Sequence, residues 1–339
     1  MMARAIAASV AVLGSAIAVA GCGTGSTEPL NRAFGALDTP ASSTTMTTPP
    51  SSAPACGDPR ASYPAFAPLP GAQALAADPE MSPIIERGKL VVAVDENTEG
   101  LASRDSDGQL VGLEIDLARA IAGALFGDGS DAGLQLLTVT TKQKVEYPAH
   151  GDADLAISAI SMTCERWNKV AFSTEYFTAR HEFLVRKDAP VQTASDLAGR
   201  RVCMTKGSTS IDTLAHLGLQ PPPVPRLVDA RTDCLVALQE GEVDAYFGHD
   251  TFLVGMVAQD PGLRIVPQGD AQHYGIAVGP QNVTLVRYVN GVLDRLRDDG
   301  TLARLYERWL RPLYRGAGEP LPSVPVPITT PLETAKVAS

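Results

Sequence analysis

Leu90-Val91-Val92-Ala93-Val94 is apolar at every position, and that decides the fold class. A strand with one wet face alternates apolar and polar residues; one that is apolar throughout is covered on both faces, as in parallel sheets. Downstream, the turn-forming stretch Asp105-Ser106-Asp107-Gly108-Gln109-Leu110 leads into Leu113, Leu117, Ile121 and Leu125, which fall along one face of a helix. Upstream, Ser82-Pro83-Ile84-Ile85-Glu86-Arg87-Gly88 predicts a short helix, with Pro83 near its start and Gly88 as its stop. Leu134 to Val139 reads as a second strand, and Asp154-Leu155-Ala156-Ile157, after the turn at His150-Gly151-Asp152, as a third. Strand and helix alternate, so the class is α/β with a mostly parallel sheet.

A second unit of the same kind follows. Ser195-Asp196-Leu197-Ala198-Gly199 precedes the strand Arg201-Val202-Cys203-Met204, the turn Lys206-Gly207-Ser208-Thr209-Ser210 and a helix from Ile211 to Leu217. Cys234 to Gln239 reads as helical and Val243-Asp244-Ala245-Tyr246-Phe247 as a further strand. After Pro280 the spacing is helical, with Val289, Val292, Leu293 and Leu296 on one face and Leu302, Leu305 and Trp309 on another.

The flanks differ in kind. Arg4 gives a short positive start, Ala5 to Ala20 is apolar but too short to span a bilayer comfortably, and Val19-Ala20-Gly21 places small residues before Cys22. The pattern resembles the bacterial lipobox, which implies a signal peptide over 1–21, acylation of Cys22, and residence on the outer face of the cell membrane. Residues 22–78 read as lipid anchor and disordered Ser/Thr/Pro tether, and 316–339 as a Pro-rich tail. A formal charge of -10 argues against a nucleic-acid partner. With Cys22 committed to lipid, Cys56, Cys164, Cys203 and Cys234 remain. Outside the cytoplasm thiols pair, and these leave every connectivity open. There is no C-x-x-C and the histidines are scattered, so neither a metal site nor a cofactor is expected.

Four segments taken in order are similar to the extracellular solute-binding proteins of polar amino-acid ABC transporters. They are Asp107-Gly108 with Val111-Gly112-Leu113-Glu114-Ile115-Asp116-Leu117-Ala118; Gly151-Asp152-Ala153-Asp154; Ser161-Met162-Thr163-Cys164-Glu165-Arg166 with Ala171-Phe172-Ser173 and Tyr176-Phe177; and Ser195-Asp196-Leu197-Ala198-Gly199-Arg200-Arg201-Val202 leading to Gly207-Ser208-Thr209. Asp95 to Leu101, Arg104-Asp105 and Thr178 to Val185 resemble most the glutamate- and glutamine-binding lipoproteins of actinobacteria. The resemblance implies a two-lobed, type II periplasmic-binding-protein-like fold: two α/β lobes joined by two hinge strands. Lobe 1 would take 79–184, lobe 2 185–272, and 273–315 the hinge return with helices that pack on lobe 1. The crossings are expected at Phe183 to Arg186 and Tyr274 to Val278.

The resemblance also assigns the cleft. Arg166 would clamp the ligand carboxylate with planar paired donors, helped by Ser161, Ala159, Ser208 and Thr209, and Asp250 would take the ammonium. Asp95 would meet the ligand side chain. Arg104 and Arg180, with Lys142, Lys144 and His181, supply positive charge that an acidic ligand would use, although each alone reads as a solvated charge. Similar proteins pair Cys203 with Cys234, and the companion expectation is Cys56 with Cys164. The function so implied is capture of glutamate, glutamine, aspartate or asparagine by a monomeric, membrane-anchored receptor and delivery to an ABC permease. One alternative keeps the ligand but reports to a membrane sensor; another is a dehydratase-like enzyme on the same fold, which the carboxylate at Asp250 argues against.

Overall fold

The computed structural model describes residues 56–127 and 131–330, so the apolar leader, Cys22 and the tether before Cys56 lie outside the described residues. Ten strands build the two large sheets: β1 (Leu90–Val94), β2 (Leu134–Thr138), β3 (Leu155–Ala156), β4 (Ala171–Phe172), β5 (Phe177–Arg186), β6 (Arg201–Thr205), β7 (Val224–Val228), β8 (Ala245–His249), β9 (Leu263–Tyr274) and β10 (Ala277–Val278). The helices that matter here are α1 (Leu113–Phe126), α2 (Gln143–His150), α3 (Ser210–His216), α4 (Arg231–Gln239), α5 (Asp250–Gln259), α6 (Val283–Asp298), α7 (Thr301–Trp309) and α8 (Arg311–Ala317).

One sheet has the order β2-β1-β3-β10-β4 and forms lobe 1; the other, β7-β6-β8-β5-β9, forms lobe 2. β1 lies parallel to β2 and β3, and β6 parallel to β7 and β8. The remaining pairings are antiparallel, which corrects the expectation of a mostly parallel sheet. A strand arriving directly from the other lobe has no helical crossover to turn it round, so it pairs against its neighbours. β1 justifies its composition: Leu90, Val92 and Val94 join the core under α1 and α6, while Ala93 joins a second core beneath α2 with Val145. On α1, Leu113, Leu117, Ile121 and Leu125 are all buried. The helix begins at Gly112, whose φ of 132° and close approach to the Leu101 carbonyl, 2.2 Å from where a Cβ would stand, admit no side chain.

The lobes are joined earlier in the chain than expected. β5 and β9 pair from Phe177↔Tyr274 to His181↔Asp270 as a two-stranded ribbon, and only from His181 onward does β5 also pair with β8. A bulge between Pro267 and Asp270 marks where β9 leaves the lobe 2 sheet. The crossing therefore lies at 177–181 and 270–274, and residues to 186 belong to lobe 2. Of the last helices, α6 and α7 lie on lobe 1: Tyr288 donates to Ala124 O at 2.7 Å and Trp309 Nε1 to Asp116 Oδ2 at 2.7 Å. Contrary to expectation, α8 also packs on α5 of lobe 2.

Residues 56–78, expected to belong to the tether, are instead folded onto lobe 1. Tyr63 and Leu75 are buried, and Phe66 and Leu69 pack on the same core. Ala61–Ser62 pairs in parallel with Ile328–Thr329, so part of the expected C-terminal tail docks as well. Cys56 is bonded to Cys164 and Cys203 to Cys234. Asn290, fully buried on α6, ties the strap down: Oδ1 accepts from Thr174 N at 2.7 Å, and Nδ2 donates to Tyr63 O at 2.7 Å and Ser62 Oγ at 3.0 Å. Replacing Asn290 by Ala strands these buried partners, and urea unfolding is expected to show a loss of about 3 kcal/mol. A loss under about 1 kcal/mol would remove Asn290 as the tie.

Candidate functional site

Strands of the two parallel triplets end facing one another, and ligands of α/β sheets sit beyond such carboxyl ends. Asp95 follows β1, Ser158 to Ser161 follow β3, Lys206 to Thr209 follow β6, Arg231 follows β7, and His249 ends β8. Between them lies a narrow cavity lined by residues of both lobes.

Arg166 sits in a single helical turn, Cys164–Trp167, whose start is capped by Thr163. Its guanidinium is buried and crosses the cleft: Nη1 donates to Ser161 O at 3.0 Å and Nη2 to Gly207 O of lobe 2 at 3.2 Å. Burial lowers its pKa to about 10. Ser161 Oγ lies 3.5 Å from Thr209 Oγ1, which donates to Gln272 Oε1 at 3.1 Å and stands 3.3 Å from His249 Nε2. Burial keeps the His249 imidazole neutral, well below its usual pKa. Ser208 Oγ is buried on the cavity wall without a hydrogen-bond partner. Ala159 adopts a left-handed φ of 47°, held by Glu114 Oε1, which accepts its N–H at 2.6 Å, and by Lys144 Nζ, which donates to its carbonyl at 3.0 Å.

Other expected site residues are placed differently. Asp95 does not line the cavity; its oxygens accept from Asn97, from Thr141 Oγ1 at 3.3 Å and from the Arg231 guanidinium. Burial opposes its charge, but Arg231 and Lys144 outweigh that and lower its pKa. Asp250 does not line the cavity: it opens α5, and it is His249, the last residue of β8, that takes the cavity side. Its Oδ1 accepts from Arg180 N at 3.0 Å and Thr251 N at 2.8 Å. Arg180 lies outside the cavity among Glu182 (3.3 Å), Asp250 (3.8 Å) and Glu319 (3.9 Å). Arg104 is exposed and paired with Glu96 at 2.7 Å. Lys144 and His181, read singly as solvated, are both buried; Lys144 faces the cavity, and His181 stacks on Phe247 with its pKa pushed to about 3 by burial. Arg231 was not among the expected residues. Its place just past the carboxyl end of β7 is the signal that finds it.

Residues 90–312 match the family of bacterial extracellular solute-binding proteins, family 3. The chain belongs to that family. It is 28% identical over 235 residues to a glutamine-binding protein of an ABC transporter from Bacillus subtilis, covering 68% of this chain and 84% of that one. It is 26% identical over 235 residues to a glutamate-binding protein from Corynebacterium efficiens, covering 65% and 78%. Among solved structures, a mutant of ArgBP from T. maritima superposes with a TM-score of 0.62 at 29% identity, covering 68% of this chain and 98% of that one. The architecture is that of a type II periplasmic binding protein. Solute-binding proteins of this family work outside the cytoplasm with ABC transporters.

The acidic group behind the hinge has a measurable consequence. Burial, reinforced by Glu319 and Asp250, raises Glu182 to about 7, and burial raises Asp250 to about 6 despite Arg180. Both values lie above those of an unfolded chain, so between about pH 4 and pH 7 the folded protein holds the extra protons. Stability from these groups is complete below that window and is lost as pH rises through it. Glu182→Gln is expected to flatten the fall in melting temperature between pH 5 and pH 8, with its largest gain at pH 8. Parallel parent and variant curves would refute the assignment.

Proposed function

We propose that this chain captures a polar amino acid of the glutamate, glutamine, aspartate and asparagine class and hands it to an ABC importer. It would do so while held at the membrane by acyl chains on Cys22. The observation that carries the reading is Arg166: a buried guanidinium between the lobes whose hydrogen-bond acceptors are two neutral carbonyls, Ser161 O and Gly207 O. A buried cation is costly without an anion, and an α-carboxylate supplies the planar pair of acceptors that a guanidinium fits. Ser161, Ser208, Thr209 and Ala159 stand around the same cavity. With Asp250 not lining the cavity, the ammonium would rely on hydroxyl oxygens such as those of Ser161 and Thr209. The glutamine- and glutamate-binding relatives support the ligand class, and the cysteine after the apolar leader supports the anchor.

The test is a thermal-shift screen of the twenty amino acids against the chain from residue 23, since a ligand bound only by the folded state raises its melting temperature. A shift with members of the named class is expected, and no shift with any amino acid overturns the reading. Arg166→Ala is expected to weaken binding by about 3 kcal/mol, more than a hundredfold, and calorimetry showing near-parent affinity would refute the clamp. Deleting the gene is expected to abolish uptake of the labelled ligand at micromolar supply; unchanged uptake would separate capture from import.

A further inference from the structure

Three cationic side chains, Lys144, Arg166 and Arg231, line the cavity, and none of its lining residues is an aspartate or glutamate. Arg166 is matched by the ligand's α-carboxylate in the reading above. That leaves Lys144 and Arg231 facing the remainder of the ligand.

Arg231 comes from lobe 2 and reaches into lobe 1. Nη1 donates to Thr98 Oγ1 at 2.6 Å, and Nη2 pairs with Asp95 and donates to Thr141 Oγ1 at 3.4 Å. Its carbon centre lies 3.9 Å from the centroid of the Phe252 ring. Held on these sides, the group has one orientation, and its buried Nε–H has no acceptor. Lys144 Nζ donates to Ser158 O at 2.8 Å and Ala159 O at 3.0 Å, which leaves one of its three N–H groups. Ser208 Oγ is also without a partner.

The geometry points to Arg231 as the residue that selects a dicarboxylic amino acid, with its free Nε–H and the spare N–H of Lys144 serving the side-chain carboxylate. The inference rests on the amino-acid reading of the cavity and sharpens it. Donor arithmetic separates the candidates. A carboxylate offers acceptors only, matching the N–H groups of an ammonium and a guanidinium, which have no lone pairs. An amide side chain presents two N–H donors beside its one oxygen, and these would face donors. Asp95 offers an amide no relief, because its oxygens are already taken by Arg231, Thr141 and Asn97. Charge points the same way. Burial, with Arg166 and Arg231 nearby, holds the Lys144 ammonium well below its ordinary range, and a second ligand carboxylate relieves that field. A cationic amino acid such as arginine would add to it in a region of low dielectric.

The experiment is calorimetry at pH 7 on the chain from residue 23 with glutamate, aspartate, glutamine, asparagine and arginine, repeated on Arg231→Gln and Asp95→Asn. The parent is expected to bind glutamate or aspartate at least tenfold tighter than the matching amide and to show no binding of arginine. Arg231→Gln is expected to lose at least tenfold in affinity for the dicarboxylate and less than threefold for the amide. Asp95→Asn, which removes the carboxylate that holds Arg231 in this orientation, is expected to narrow the preference for the dicarboxylate over the amide. Equal affinity for acid and amide in the parent overturns this inference and leaves the amino-acid reading standing. An Arg231→Gln variant that loses all ligands equally shows a structural bridge and also overturns it. If no amino acid binds, the broader reading falls, and this one with it.

Discussion

A positive charge removed from water must find oxygen, and the interior of the cleft is arranged around that requirement. Arg166 draws on the carbonyls of Ser161 and Gly207, Lys144 on those of Ser158 and Ala159, and Arg231 on Asp95, Thr98 and Thr141. Two of these sets span the lobes, so the hydrogen bonds that solvate the cations also tie one lobe to the other. The left-handed backbone at Ala159 follows as well: it turns the strand end so that one residue presents its N–H to Glu114 and its carbonyl to Lys144. Positive φ is unusual for a residue with a Cβ and persists where surrounding bonds over-determine it.

Features set by local period were legible in the sequence. The strand Leu90–Val94 is apolar on both faces because a separate core lies on each side, and α1 shows its buried face at helical spacing. The crossing was misplaced because Phe177–Arg186 is one uninterrupted strand; the point where it leaves one lobe for the other is set by its partners, which composition does not record. The folded strap was missed because Tyr63, Phe66, Leu69 and Leu75 are diluted among Ser, Thr and Pro, although four such side chains suffice to dock a segment stapled at Cys56.

Within the site the same distinction holds. Arg166, Ser161, Ser208 and Thr209 belong to contiguous motifs, and the fold brings them together. Lys144 stands in a polar helix, and its burial goes with its bonds to the strand end at Ser158 and Ala159, which the helix's own composition does not announce. The exchange of Asp250 for His249 shows how sharp the limit is. The strand ends at His249 and the helix opens at Asp250, and sequence spacing alone does not settle which of the two enters the cleft.

The paired strap has a mechanical meaning. Ala61–Ser62 and Ile328–Thr329 run side by side, and Cys56 is bonded to Cys164, so both ends of the described chain are fastened to lobe 1. A load applied at Cys56 or Thr329 enters lobe 1 and does not pass through the ribbon at 177–181 and 270–274. Lobe 2 is thus the free jaw, and a fluorophore pair reporting its angle needs one dye on that lobe and a reference beside Cys56 or Thr329.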